Sequence, residues 1–121
     1  MKRVLSVLLA VLLLCGVGAV ASHAAVDITE KFTDLNFRAA VYDHIPNKAA
    51  PDPINATDVA EIPTLFVGNR NIQNLEGIGY FTALETLLCP SNLLAEINVS
   101  NNAALKWFHC YRNQLTELDV S

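Results

Sequence analysis

Residues 84–121 carry one pattern twice. LETLLCPSNLLAEINVSNNAA is followed by LKWFHCYRNQLTELDVS, so the second line restarts the first after 21 residues. Leu84 matches Leu105, Leu87 matches Phe108, Cys89 matches Cys110 and Asn92 matches Asn113. The match continues through Leu94 and Leu115, Ile97 and Leu118, Val99 and Val120, and Ser100 and Ser121. A unit of this length cannot bury its own apolar face, so successive units must stack and share one core.

A weaker copy comes first. Ile62, Leu65, Val67, Ile72 and Leu75 stand 22 residues before Leu84, Leu87, Cys89, Leu94 and Ile97, with Arg70 where the later copies have Asn92 and Asn113. The form L-x-x-L-x-[L/C]-x-x-N-x-L marks a leucine-rich repeat. The expected fold is an α/β solenoid: a leucine-rich-repeat horseshoe with parallel strands on its concave face and a small N-terminal helical cap. The expected domains are a signal peptide at 1–24, the cap at 25–61, and about two and a half repeats at 62–121. The pattern breaks off at Ser121, where another coil is due, so the repeats read as truncated at the C-terminus.

Strand alternation sorts the repeat residues by side. Leu87, Cys89, Phe108 and Cys110 point inward. Thr86, Leu88 and Pro90 point outward, as do Trp107, His109 and Tyr111, and Thr64, Phe66 and Gly68 in the first coil. Stacked strands lie about 4.8 Å apart, so Phe66, Leu88 and His109 form one column and Thr64, Thr86 and Trp107 another. The binding face is assigned to Phe66, Thr86, Leu88, Trp107, His109 and Tyr111, with Arg112 beside them. Exposed aromatics next to an Arg are typical of interface hot spots. The competing reading is that a further coil partly covers them. Asn92 and Asn113 are structural, pairing with loop backbone groups that have no ladder partner.

Cys89 and Cys110 admit three readings. A zinc pair lacks a second Cys or His pair at ligand spacing. A disulfide suits a secreted protein, but neighbouring parallel strands aim the two side chains alongside rather than at each other. The reading preferred is a ladder of small buried thiols. His109 has no nucleophile and carboxylate arranged with it, so the chain is not read as an enzyme, and no cofactor or metal is expected.

Ahead of the repeats, residues 34–44 are predicted as an amphipathic helix. Leu35, Ala39 and Tyr42 form one apolar stripe, and Phe37, Val41 and Ile45 another. Thr33 or Asp34 caps its start, Phe32 packs back on it, and Pro46-Asn47 stops it. Pro51 and Pro53 make a loop, and Thr57 is predicted to cap a one-turn helix that ends before Pro63. Phe37, Val41, Ile45 and Val59 are the expected contacts with the first coil.

The N-terminus reads as a leader: Met1-Lys2-Arg3, an apolar run to Leu14, and small residues ending in Ala19-Val20-Ala21 and Ser22-His23-Ala24. The expected location is therefore secreted or cell-surface, with the membrane met only through this leader. The chain holds 8 Lys+Arg against 12 Asp+Glu; Lys2 and Arg3 lie in the leader, so the rest stands at 6 against 12, or −6. That balance argues against nucleic acid, which requires a basic face.

Residues 32–121 resemble the N-terminal part of an internalin, a secreted bacterial leucine-rich-repeat protein with a helical cap. The residues concerned are Phe32-Thr33-Asp34, Ala56-Thr57-Asp58-Val59, the stretch LEGIGYFTAL at 75–84, and NQLTEL at 113–118. The Cys-bearing strand and the LDVS ending resemble a broader group of surface repeat proteins from Gram-positive gut bacteria. The resemblance implies a protein–protein binding module whose partner extends to host-cell proteins. The alternative is a targeting or structural arm of a larger secreted surface enzyme.

Overall fold

The computed structural model describes residues 26–119, with only the backbone path for 117–119; the leader expected at 1–24 and the matches of Val120 and Ser121 lie outside these residues. A 3-10 turn at Thr29–Lys31 leads to helix α1 (Leu35–Tyr42) and the short helix α2 (Ala56–Ala60). The repeats then supply strand β1 (Thr64–Phe66), a 3-10 turn at Ile78–Tyr80, and strands β2 (Thr86–Leu88), β3 (Glu96–Asn98), β4 (Trp107–His109) and β5 (Glu117–Asp119).

Helix α1 starts because Asp34 is extended and its Oδ1 accepts the N–H groups of Asn36 and Phe37, both at 2.9 Å. Two donors without helical partners are satisfied, and the negative charge suits the positive helix end. Asp34, not Thr33, is the cap. Its other oxygen accepts from the backbone of Gln73 at 2.7 Å and Asn74 at 3.3 Å, in the first coil. One carboxylate thus starts the helix and ties it to the repeats.

Of the two predicted stripes, one is buried: Phe37, Val41 and Ile45, together with Ala40. The other faces away. Leu35 is 69% exposed, Ala39 is exposed and Tyr42 is half-buried. A helix lying on one surface buries a stripe only about 100° wide, and Phe37, Ala40 and Val41 fill it. Phe32 is fully buried, with its ring edge-on to Phe37 at 5.7 Å and to Phe81 of the first return at 6.3 Å. It therefore links α1 to the repeats rather than merely stapling the helix. Gly77 sits beneath it at φ 103°, and a Cβ there would lie 2.4 Å from the Phe32 ring. Both the backbone and the space require glycine.

The start of α2 corrects the sequence reading. Asn55, not Thr57, is the N-cap, and Asp58 accepts the Asn55 N–H at 2.7 Å. The reciprocal arrangement places the acid three residues after the cap. From Thr57 the third residue is Ala60, which has no side-chain acceptor. Val59 is fully buried, and Lys48 pairs with Asp58 at 2.6 Å, holding the proline loop against α2.

β1, β2 and β4 form a parallel sheet in that order, with Leu65, Leu87 and Phe108 in register. β3 and β5 form a second parallel pair on the return side, Ile97 opposite Leu118. The coils therefore stack as a short solenoid with a sheet on one wall and a strand pair on the other. Between the walls lies a single core, from Ile28 and Phe32 through Leu65, Ile72, Leu84 and Leu87 to Ile97 and Val99. Leu105, Phe108, Cys110 and Leu115 of the third coil are only partly buried.

The asparagines hold the coils together. Asn92 Oδ1 accepts from the backbone of Arg70 at 2.9 Å and Ile72 at 3.1 Å, while its Nδ2 donates to the carbonyls of Val67, Cys89 and Pro90 at 2.8–3.3 Å. Asn113 repeats this one coil on: it accepts from Leu94 at 3.0 Å and donates to Cys89, Cys110 and Tyr111 at 2.9–3.4 Å. Each amide satisfies turn groups in its own coil and in the one before. Asn102 adds a bond not expected from the sequence. It sits where Phe81 sits one coil earlier, and its Nδ2 donates to the carbonyls of Ile78 at 2.9 Å and Phe81 at 3.2 Å.

Candidate binding face

Three short strands and the residues just after them put nine residues on the outside of the first sheet. The register stacks Thr64, Thr86 and Trp107 in one column and Phe66, Leu88 and His109 in the next. Gly68, Pro90 and Tyr111 follow beyond the strands. Backbone bonds from Asn69 N–H to Pro90 O at 2.9 Å and from Ser91 N–H to Tyr111 O at 3.0 Å keep this row in step. Phe66 is 59% exposed, Trp107 64% and Tyr111 60%. Thr86, Leu88 and Pro90 are half-buried between their neighbours, and His109 is exposed.

The electrostatics of this face differ from those of the whole chain. The chain has 12 acidic against 8 basic side chains, yet none of the nine outward positions is a carboxylate, and the titratable groups among them are His109 and Tyr111. At one margin Glu85 and Lys106 pair at 3.7 Å, both more than half exposed, a contact worth little in solvent. Arg112 lies at the opposite margin, next to Tyr111, and is exposed.

The outer edge of the sheet is covered by a residue that the repeat pattern does not flag. His44, just past α1, accepts the Phe66 N–H on Nε2 at 3.3 Å, and its Nδ1 lies 2.8 Å from the Ala40 carbonyl. The tautomer with its proton on Nδ1 satisfies both contacts. An edge strand with open backbone groups is a template for unwanted pairing, and the imidazole fills one of those groups beside an exposed phenylalanine.

Beneath the face lie the two cysteines. Cys89 is buried, Cys110 is half-buried, and both are free thiols. The Cys89 N–H donates to the His109 carbonyl at 2.9 Å, continuing the register so that Cys110 is its neighbour. Burial, with Cys110 as the next largest cause, pushes the Cys89 thiol up to about 12. It is neutral at physiological pH. No group of three or more His, Cys, Asp or Glu among the described residues is placed to hold a metal ion. His109 and Cys110 lie on opposite sides of the sheet, so they cannot act as a base and nucleophile pair.

No protein-family model matches the chain, and no curated protein matches it. Solved structures do. The functional domain of InlJ from Listeria monocytogenes, which includes a cysteine ladder, is 32% identical and superposes with a TM-score of 0.71 over 78% of this chain and 21% of that one. The internalin InlF of the same species is 22% identical, with a TM-score of 0.62 over 77% of this chain and 31% of that one. Its internalin C2 is 22% identical, with a TM-score of 0.66 over 73% and 39%. At 22% identity the latter two speak for the fold alone. The chain spans about a fifth to two fifths of the length of these relatives.

Proposed function

We propose that this internalin-like leucine-rich-repeat chain is a binding module that recognises a protein on the exposed face of its first sheet, from outside a bacterial cell. The observation that carries the reading is the placement of Phe66, Trp107 and Tyr111, each about three fifths exposed, on a register-locked scaffold and on a wall free of carboxylates. Preorganised aromatics lose little conformational freedom on binding, and burying each on a partner contributes about 1.5–3 kcal/mol. Thr86, Leu88, His109 and Arg112 complete the surface.

In this reading residues 1–24 are a cleaved leader. Residues 25–61 cap the first coil, and residues 62–121 begin a horseshoe whose concave side is this sheet. Cys89 and Cys110 are two rungs of a cysteine ladder like that of InlJ. The partner is a host-cell surface protein. A photo-reactive benzoylphenylalanine placed at position 107 of the full chain, and separately at position 96 on the opposite wall, tests this on intact mammalian cells. Protein adducts should form from position 107 alone. Equal labelling from both positions, or none from 107, would sink the proposal.

A further inference from the structure

One backbone feature recurs in every coil and is filled unevenly. Asn69, Ser91 and Arg112 occupy the same place, one residue before Arg70, Asn92 and Asn113. All three are left-handed, at φ 58°, 58° and 59°. The turn into the ladder position demands this conformation. Asparagine tolerates it because its short polar side chain bonds locally to the backbone. Arginine has no such compensation, so the chain carries backbone strain at Arg112 that an asparagine would relieve. Strained backbone gathers at functional sites.

A second observation is electrostatic. Arg38, Lys48, Arg70 and Lys106 each pair with a carboxylate. Arg112, like Lys31 at the other end of the described chain, is exposed and makes no ion pair with the described residues. It stands at the margin of a face whose nine outward positions hold no carboxylate, on a chain that is acidic overall. Nothing on that face competes for its guanidinium.

Resting on the binding role proposed above, we infer that Arg112 is the specificity-determining residue of this face and takes a carboxylate from the partner. The guanidinium fork matches a carboxylate through two parallel hydrogen bonds. Tyr111 and Trp107 beside it take an apolar side chain. The partner is thus an acidic protein segment in which Asp or Glu stands next to a large apolar residue.

Selection of a random displayed-peptide library on the full wild-type chain tests this, followed by binding of the selected peptides to Arg112→Asn, Arg112→Lys and Trp107→Ala. The expected peptides carry Asp or Glu beside an apolar residue. They bind Arg112→Asn about tenfold or more weaker, and Arg112→Lys also binds more weakly because it lacks the fork. Meanwhile Arg112→Asn unfolds about 2–4 °C higher as the strain is relieved. A lower midpoint for Arg112→Asn would show that the fold itself uses the arginine and would overturn the inference. Peptides without acidic residues, lost on Trp107→Ala but kept on Arg112→Asn, overturn the inference and leave the binding face standing. Peptides that survive Trp107→Ala, or no enrichment at all, overturn both. Binding of heparin that depends on Arg112, with acidic peptides indifferent to it, would assign the arginine to a sulfated glycan and overturn the protein partner.

Discussion

In β1, β2 and β4 the middle residues Leu65, Leu87 and Phe108 point into the core, flanked by Thr64 and Phe66, Thr86 and Leu88, Trp107 and His109. β3 alternates in the same way, with Ile97 inside and Glu96 and Asn98 outside, and stands in register with Glu117, Leu118 and Asp119 of β5. The two walls share one core and one parallel geometry, but the outside of one is aromatic and the outside of the other is acidic and polar. Folding needs only the inner residues. The outer ones are left free by packing, and on a freely chosen surface an exposed tryptophan adds nothing that glutamate or asparagine would not. The difference between the walls therefore lies in residues that packing leaves free, which is why the proposed binding face is placed on the first wall.

Substitutions can break this contrast or sharpen it. The largest effect should come from what both walls lean on. Phe32→Ala removes the ring that joins α1 to Phe81 and should cost about 3–5 kcal/mol by denaturant unfolding; a loss under about 1 kcal/mol would mean that α1 is not coupled to the coils. Next, Asn92→Ala leaves buried turn groups unpaired and should cost about 1–3 kcal/mol. Asn113→Ala should cost less than Asn92→Ala, because Asn113 is only half-buried, yet more than Trp107→Ala. On the outer faces, Trp107→Ala and Glu96→Ala should each change stability by no more than about 0.5 kcal/mol. A larger loss for Trp107→Ala would show that this wall is built for packing after all.

A further effect concerns pH. Cys89 ionises near 9.0 when unfolded and at about 12 when folded. Between those values the unfolded chain has lost the proton and the folded chain keeps it, so stability falls as pH rises through that window. Below the window the contribution is constant. Thermal unfolding from pH 8 to 11 should show a decline that Cys89→Ala makes shallower; an unchanged slope would place the thiol in contact with water.

Much of this arrangement was legible in the residues. The period of 21 and 22 placed Leu65, Leu87 and Phe108 inside, stacked Thr86 on Trp107 and Leu88 on His109, and marked Asn92 and Asn113 as turn residues. The second strand pair was missed because Glu96, Ile97 and Asn98 show only one turn of alternation, too little to distinguish from a loop. The choice of Asn55 over Thr57 depended on where the chain became extended. Which stripe of α1 is buried was undecidable, since both Leu35 and Phe37 begin plausible helical faces and only a surface to lie on selects one.

What the sequence alone determined is everything that repeats, because a fixed period forces equivalent residues into equivalent environments whatever their partners. What only the tertiary structure decided are the contacts between elements far apart in the chain: Asp34 on Gln73 and Asn74, Phe32 on Phe81, and His44 on Phe66. These depend on how one stack of coils meets one helix, a single event with no second copy in the chain from which to read it.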